Sequence, residues 1–168
     1  VTRIYSPGDG QSLGLEGMID DMLKRSDRDH VKKLPRSLKR LRAGNSGELA
    51  RVISGFEARV APASLKKELI VIAKNRGSVP VLGITGTGGA GKSSLTDEIV
   101  RRFHLDHPEI KIAVIAVDPS KRKSGGALLG DRIRMNAIGV DGIYMRSLAT
   151  RGSGSEVAQC LPHAILAC

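Results

Sequence analysis

The feature that most constrains this chain is a glycine-rich turn between an apolar run and a helical pattern. Residues 81–94 read VLGITGTGGAGKSS, and from Gly86 the spacing is Gly-x-x-x-x-Gly-Lys-Ser. Glycines allow the backbone to turn tightly and to point its N–H groups at an anion. Lys92 adds a positive charge for phosphate oxygens, and the hydroxyl of Ser93 is a suitable Mg²⁺ ligand. The spacing therefore predicts a phosphate-binding loop that opens a helix.

A second motif overlaps this loop. Gly86, Gly88 and Gly91 also have the Gly-x-Gly-x-x-Gly spacing of dinucleotide sites, and Asp118 follows where a ribose-binding acid is found in such sites. The dinucleotide motif needs no Lys-Ser after its last glycine, whereas the phosphate loop needs both. The sequence therefore favours the phosphate loop over the dinucleotide site and over a chance match.

Charge excludes some partners but does not identify one. The net charge is +10, and a run of lysine and arginine without acids lies between residues 32 and 42. No aromatic residue interrupts that run, so it lacks the stacking platform of a single-stranded nucleic-acid site. A solvated helix face, or a face docked on an acidic neighbouring domain, is the favoured interpretation. We expect no nucleic-acid partner.

Composition predicts an aliphatic core in a cytoplasmic protein. Hydrophobic residues make up 40% of the chain and aromatic residues only 2%, so aliphatic side chains must form the core. No apolar stretch reaches the roughly 18 residues of a membrane span, and the start does not resemble a signal peptide, so we expect no membrane partner. Cys160 and Cys168 lack metal-ligand spacing and indicate buried free thiols in a reducing compartment. Because the chain starts without Met, we expect it to be part of a longer polypeptide.

Patterning divides the chain into three segments. Residues 1–30 show a strand-like alternation over 1–5, then a turn cluster and a helical apolar stripe. Residues 31–78 have the pattern of a helical linker, with Asn45 or Ser46 as the cap of one helix and Asn75-Arg76-Gly77 as the end of another. From residue 79 the pattern changes again.

The third segment predicts an α/β fold. A strand over 80–86 precedes the loop, a helix over 91–103 follows it, and a buried strand over 111–117 comes next. A further strand over 140–148 and a last helix from Glu156 complete the pattern. Strand, helix and strand in this order form the right-handed crossover of a doubly wound, mostly parallel sheet, whose ligands bind at the carboxyl ends of its strands.

Polar residues after these strands are candidate ligands for a metal ion. Asp118 ends a buried strand at the sheet edge where Lys92 and Ser93 are expected, and it can bind Mg²⁺ or form a turn before proline. Asp131 can complete the metal shell and Arg134 can reach a phosphate, or both can form surface pairs with neighbouring residues. Spacing alone leaves these alternatives open.

Three stretches carry a resemblance to a known family. PVLGITGTGGAGKSSLTDE, AVDPSKRKSGGALLGDRIRMNAI and YMRSLATR resemble the GTPase chaperones that serve adenosylcobalamin-dependent mutases. The chain is similar above all to the fused members, in which one polypeptide carries a cobalamin-binding domain, the GTPase domain and the mutase domain. The resemblance implies that residues 1–30 end a flavodoxin-like cobalamin-binding domain, that 31–78 are the linker, and that 79–168 begin a P-loop GTPase domain.

The same resemblance implies ligands and residue roles. It implies GTP, Mg²⁺ and, in the full-length protein, adenosylcobalamin, with GTP hydrolysis coupled to loading and protecting the cobalamin of a mutase that interconverts isobutyryl-CoA and butyryl-CoA. The full-length protein is expected to be a homodimer in which the mutase and cobalamin-binding domains are the partners of this segment. The implied nucleotide ligands are Gly89, Ala90, Gly91, Lys92, Ser93, Ser94 and Arg134, with Lys92 also catalytic. The implied metal ligands are Ser93, Asp118, Asp131 and the carbonyl of Val117.

The sequence also departs from the family. The Glu-Thr-x-Gly-type segment and the guanine-reading Asn-Lys-x-Asp segment do not occur in these 168 residues, and the cobalamin-ligating Asp-x-His-x-x-Gly segment belongs before Val1. Guanine preference therefore rests on resemblance, and we expect weak or absent GTP hydrolysis by this chain alone. The alternatives are a stand-alone mutase-associated GTPase metallochaperone, an unrelated phosphate-loop kinase or ATPase, and a docking module that does not depend on nucleotide.

Overall fold

The computed structural model describes residues 3–27, 31, 34–35, 37–118, 132, 135–150 and 158–168. They belong to two compact units, residues 1–32 and residues 33–168.

The first unit is built around one long helix, α1 (Pro7–Ser26), which is kinked at Gly14. Ser6 caps its start: the Asp9 amide donates to the Ser6 hydroxyl at 3.2 Å, and the Ser6 amide donates to the Asp9 carboxylate at 2.8 Å. This reciprocal pair, with Pro7 at the first helical position, is a strong helix start. The turn cluster predicted here is therefore wrong. The strand predicted over 1–5 is likewise absent from its described residues, 3–5.

Three helices open the second unit: α2 (Lys39–Arg42), α3 (Ser46–Glu57) and α4 (Ala63–Arg76). The side chain of Asn45 accepts a hydrogen bond from the Glu48 amide at 2.8 Å, which confirms the predicted cap. Helix α4 ends at Gly77, whose φ of 82° is the left-handed conformation that glycine adopts easily. Local signals therefore predicted α3 and α4 well.

The α/β part follows with α5 (Lys92–Asp106), β1 (Ile112–Asp118), a short 3-10 helix (Ala137–Gly139), β2 (Ile143–Ala149) and α6 (Leu161–Ala167). Strands β1 and β2 are parallel, and their register runs from Ile112 opposite Ile143 to Asp118 opposite Ala149. The predicted α/β class with a parallel sheet is confirmed. The last helix begins at Leu161 and residues 158–160 are not helical, whereas the predicted start at Glu156 lies outside the described residues.

The strand predicted over 80–86 is not formed. Residues 77–87 have no regular secondary structure, and Val81 and Leu82 are 67% and 72% exposed. A strand requires a neighbour for its backbone N–H and C=O groups, and the sheet of the described residues consists of β1 and β2 alone. The apolar run that precedes the loop is consequently extended but unpaired within this part of the chain.

A single aliphatic cluster holds the second unit together. It joins the helices of the predicted linker to β2 and α6, so these helices pack on the sheet instead of standing apart from it. The Arg146 guanidinium on β2 adds a polar contact, donating to Glu57 at 2.7 Å and to the Ser54 hydroxyl at 3.0 Å. The buried members of the cluster are Leu38, Leu41, Val52, Ile53, Leu65, Leu69, Ile72, Leu148, Ala158, Cys160, Ala164 and Ala167.

Both cysteines are free thiols, and Cys160 is buried as predicted, but the prediction of burial is wrong for Cys168, which is exposed. Within the described ranges, no helix has the length and apolar character required to span a lipid bilayer.

Candidate functional site

The glycine-rich turn forms an open loop between the extended segment 77–87 and α5. Gly89 and Gly91 have φ angles of 78° and 79°, a conformation that is strained for residues with a Cβ atom. Apart from the glycine itself and its two chain neighbours, no described atom lies within 4 Å of the position that a Cβ atom would take at Gly88, Gly89 or Gly91. The glycines therefore allow the backbone conformation of the loop and leave open space in front of it.

Lys92, the first residue of α5, reaches back across this loop. Its ammonium group donates hydrogen bonds to the carbonyl oxygens of Gly86 and Thr87, each at 2.8 Å. An ammonium group has three N–H donors, so these two bonds hold the charge over the loop and leave a third donor for a phosphate oxygen. The predicted role of Lys92 at the β- and γ-phosphates stays a prediction, with which this geometry is compatible.

The start of α5 adds backbone donors to the loop. The Leu95 amide donates to the carbonyl of Gly91 at 2.9 Å, so the helical ladder begins there. The amide of Ser94, the residue before Leu95, lies in the first turn, where the helix supplies no carbonyl partner. Together with the positive end of the helix dipole, this turn suits an anion.

Asp118 lies at the carboxyl end of the parallel strand pair. It is half-buried as the last residue of β1, and its carbonyl accepts a hydrogen bond from the Thr150 amide at 3.2 Å. Val117 precedes it and packs against the aliphatic cluster. This sheet edge is the one at which ligands of open α/β sheets bind. The structure thus places Asp118 at the carboxyl end of its strand, as predicted, while its expected closeness to Lys92 and Ser93 stays a prediction.

Two predicted ligands, Asp131 and Arg134, lie outside the described residues. Between them in the sequence, Arg132 is described, and its guanidinium donates to the carbonyl of Met145 in β2 at 3.3 Å. The proposed roles of Asp131 and Arg134 stay predictions.

The functional groups of the described residues are suited to bind a nucleoside triphosphate with its Mg²⁺ ion. An open glycine loop and the Lys92 ammonium suit phosphate oxygens, and the hydroxyl of Ser93 and carboxylate of Asp118 are the oxygen ligands that Mg²⁺ prefers. No three His, Cys, Asp or Glu side chains in the described part form a metal-binding group. Mg²⁺ is commonly held by one or two protein ligands together with phosphates of the substrate.

Sequence patterning missed one contact near the site. The helical pattern of the sequence predicts that Asp97 faces solvent, but its carboxylate accepts hydrogen bonds from the Ala137 amide at 2.8 Å and from the Asn136 side chain at 3.5 Å. Its neighbour Glu98 does face solvent. Hydrogen bonds from Arg101 and Arg102 lower the pKa of the Glu98 carboxyl to about 2, so it stays ionised. No short-range spacing distinguishes these two acids, because the partners of Asp97 lie about 40 residues away.

Comparison with known proteins gives a consistent match. The family model described as "Methylmalonyl Co-A mutase-associated GTPase MeaB" matches residues 49–168. The fused isobutyryl-CoA mutase of Cupriavidus metallidurans is 58% identical over 169 residues, which cover 100% of this chain and 15% of that protein. The fused isobutyryl-CoA mutase of Geobacillus kaustophilus is 50% identical over 171 residues, covering 98% of this chain and 16% of that protein.

A shorter relative matches as well. The GTPase ArgK of Escherichia coli is 34% identical over 138 residues, covering 80% of this chain and 41% of that protein. The chain therefore spans about 15% of the length of the fused mutases and under half of this GTPase.

Proposed function

This chain belongs to the family of methylmalonyl Co-A mutase-associated GTPases described as MeaB, and we propose that it is the GTP-binding chaperone segment of a fused adenosylcobalamin-dependent isobutyryl-CoA mutase. In this role, GTP hydrolysis is coupled to loading and protecting the cobalamin cofactor of a mutase that interconverts isobutyryl-CoA and butyryl-CoA. Identity to the fused mutases over the whole chain, including the residues before 49 that the family model does not cover, supports the fused form.

The observation that carries the proposal is the position of the Lys92 ammonium. It is held over an open glycine loop by two backbone carbonyls, at the start of a helix. A compact positive charge in this position attracts the β- and γ-phosphates of a nucleoside triphosphate. In the proposed site Gly89, Ala90 and Gly91 enclose the phosphates with their backbone, and Ser94 adds an amide from the helix start.

The proposed metal site uses oxygen ligands only. Ser93 supplies a hydroxyl, Asp118 a carboxylate, and Val117 its carbonyl, while Asp131 completes the set and Arg134 contacts the nucleotide. When bound, Mg²⁺ neutralises charge that develops on the phosphates during transfer. The residues of this chain bind and orient the triphosphate, and the Lys92 ammonium stabilises negative charge on its oxygens.

The arrangement of domains is part of the proposal. Residues 1–30 end a flavodoxin-like cobalamin-binding domain, 31–78 connect it to the GTPase domain, and 79–168 begin a doubly wound P-loop fold. The capped, exposed helix α1 and the change of pattern at residue 79 support this division. We further propose a cytoplasmic location, which the free thiols support, and a homodimeric full-length protein that binds adenosylcobalamin.

Nucleotide competition on the full-length polypeptide tests the function. A fluorescent GTP analogue should bind in the presence of Mg²⁺ and lose affinity when EDTA removes the metal. Unlabelled GTP should displace it at concentrations at least about tenfold lower than ATP, because a site that hydrogen-bonds the guanine base rejects adenine. Equal displacement by ATP would favour the kinase or ATPase alternative. Absence of Mg²⁺-dependent binding would favour the docking module.

The rate of GTP hydrolysis should differ between this 168-residue segment and the full-length protein. We expect the full-length polypeptide to hydrolyse GTP and the 168-residue chain to do so weakly or not at all. The reason is that the 80–86 run has no strand partner in the described part, so the loop lacks a rigid base on one side. Equal rates for the two proteins contradict this expectation.

A further inference from the structure

Positive side chains from three separate parts of the chain lie together at the carboxyl end of α2. The Arg76 guanidinium, in the last turn of α4, donates a hydrogen bond to the carbonyl of Arg42 at 3.2 Å. The end of the Lys111 side chain, from the residue before β1, occupies the space that a Cβ atom at Gly44 would need. We call this group the α2 basic patch. Its members are all exposed, and they are Lys39, Arg40, Arg42, Arg76 and Lys111.

No carboxylate balances this charge within the part of the chain that the structure describes. The side chains of the α2 basic patch form no ion pair there. Glu68, an acid on α4 that reaches the start of α2, accepts a hydrogen bond from the backbone amide of Leu38 at 3.3 Å. The carbonyl end of one helical turn carries only partial negative charge. Two like charges about 4 Å apart in water repel by about 1 kcal/mol, so the patch attracts a partner that brings negative charge.

The α2 basic patch is separate from the candidate nucleotide site. Lys111 precedes the first residue of β1, whereas Asp118 is the last residue of that strand. A strand rises about 3.3 Å per residue, so these two residues lie roughly 20 Å apart along it. A triphosphate bound at the Asp118 edge therefore does not supply the missing negative charge.

Two kinds of partner carry dense negative charge, an acidic protein surface and a nucleic acid. The α2 basic patch contains no aromatic side chain on which a base could stack. The chain spans about 15% of the length of the fused mutases that it resembles, so further domains of one polypeptide are available as neighbours. A domain on the same polypeptide is present at an effective concentration of about a millimolar, so even a weak contact between exposed charges stays formed. A neighbouring protein domain is therefore the favoured partner.

We propose that the α2 basic patch docks on an acidic surface of a neighbouring domain of the full-length polypeptide, outside residues 1–168. The contact consists of ion pairs between exposed side chains, so it weakens as the salt concentration rises. It holds the helices of the 31–78 segment in a defined position on that domain. This inference rests on the proposed function only in requiring the fused form, and it does not depend on nucleotide.

Zero-length crosslinking of the full-length polypeptide tests the docking. A carbodiimide joins a lysine side chain to a carboxylate that it contacts, with loss of water. Mass spectrometry should find Lys39 and Lys111 joined to Asp or Glu residues outside 1–168. An increase in NaCl from about 0.05 M to about 0.5 M shortens the Debye length about threefold and should lower the yield at least about fivefold.

Reversal of two charges tests the same contact with Lys111 as the reporter. Lys39→Glu combined with Arg40→Glu should lower the Lys111 crosslinks at least about fivefold at low salt, because these charges now repel the acidic surface. The melting temperature should not change, since both side chains are exposed. Lys24→Glu combined with Lys67→Glu makes the same charge change at exposed lysines of α1 and α4, and it should keep the wild-type yield.

Several results would overturn the docking proposal. One is the absence of crosslinks from Lys39 and Lys111 to residues outside 1–168 in the wild type, and another is a yield that does not respond to salt. The wild-type measurements decide the question even if the charge-reversed variant does not fold. In a folded variant, a wild-type yield from Lys111 contradicts the proposal.

Binding of nucleic acid is the competing outcome. A fluorescent oligonucleotide that binds the wild type and not the Lys39→Glu, Arg40→Glu variant would assign the α2 basic patch to nucleic acid and overturn the docking. Failure of this proposal is distinguishable from failure of the nucleotide function. Normal crosslinks in a protein that binds no GTP overturn the nucleotide function alone, whereas GTP binding without these crosslinks overturns the docking alone.

Discussion

The ammonium nitrogen of Lys92 lies 2.8 Å from the carbonyl oxygen of Gly86, six residues earlier in the chain. The side chain that must bind phosphate is thereby held against the backbone of its own loop. Such preorganisation lowers the entropy lost when a ligand binds, because the long lysine side chain is already ordered.

Replacing this lysine should weaken nucleotide binding without unfolding the protein. For Lys92→Ala in the full-length polypeptide, we expect a loss of about tenfold to a hundredfold in affinity for Mg²⁺-bound GTP, because a charge-assisted bond to phosphate is removed. Fluorescence titration with a GTP analogue measures the change. Lys74→Ala, an exposed lysine in the last turn of α4, makes the same charge change as a control and should bind normally. Similar affinities for the two variants would refute the role of Lys92.

The loop glycines should differ in their tolerance of alanine. Gly91 has a φ of 79°, so Gly91→Ala should lower the free energy of unfolding by about 1 kcal/mol or more. Gly88 lies outside the left-handed region and has open space at the Cβ position, so Gly88→Ala should change this free energy by less than about 0.5 kcal/mol. Urea unfolding measures both values. A larger loss for Gly88→Ala would contradict the loop geometry described here.

The Glu57–Arg146 pair should couple α3 to β2 measurably. The side chains are 11% and 27% exposed, and the N···O distance is 2.7 Å. A double-mutant cycle with Glu57→Ala and Arg146→Ala should give a coupling free energy of about 1–2 kcal/mol. The exposed Glu98–Arg101 pair on α5 is the control and should give below about 0.5 kcal/mol, because water and salt screen it. Equal coupling in the two pairs would show that burial does not strengthen the Glu57–Arg146 contact.

Stability should fall as the pH drops below about 6.5, through His163. Its ring stacks on Phe56 with centroids 4.6 Å apart, and burial, followed by the nearby charge of Lys66, lowers the pKa of the imidazole. The folded protein therefore binds a proton less readily than the unfolded chain. This contribution is fully present above the unfolded pKa and is lost as the pH falls through the folded pKa.

Urea unfolding at several pH values between 8 and 5.5 would measure this dependence. We expect the urea concentration at the unfolding midpoint to be lower at the acidic end. His163→Phe keeps a ring against Phe56 and removes the titrating group, so it should flatten the curve in this range. Lys67→Met, at the position next to Lys66, serves as the control and should keep the wild-type curve. A His163→Phe protein with an unchanged pH dependence would assign the effect to other groups.

Interactions between residues close together in the sequence determined several of the helix ends, the phosphate loop and one strand of this protein. Asn45 as a cap, Gly77 as a helix stop, the glycine loop before Lys92 and the apolar run of β1 could all be predicted, because each depends on residues within a few positions of one another. The family could be recognised for the same reason, since its motifs are short and contiguous. The capping box of Ser6 and Asp9 is also local, but the glycines and proline around it predict a turn equally well, so the sequence pattern does not distinguish the two.

Only the tertiary structure decided the contacts between distant residues. The 80–86 run has the composition of a strand, yet a strand forms only where a neighbour pairs with its backbone, and no described residue does so. The helices predicted as a linker pack on β2 because their apolar stripes meet a complementary face. Asp97 and Glu98 are adjacent acids with the same local surroundings. One anchors Ala137 and the other faces solvent, because burial and long-range partners depend on how the whole chain folds.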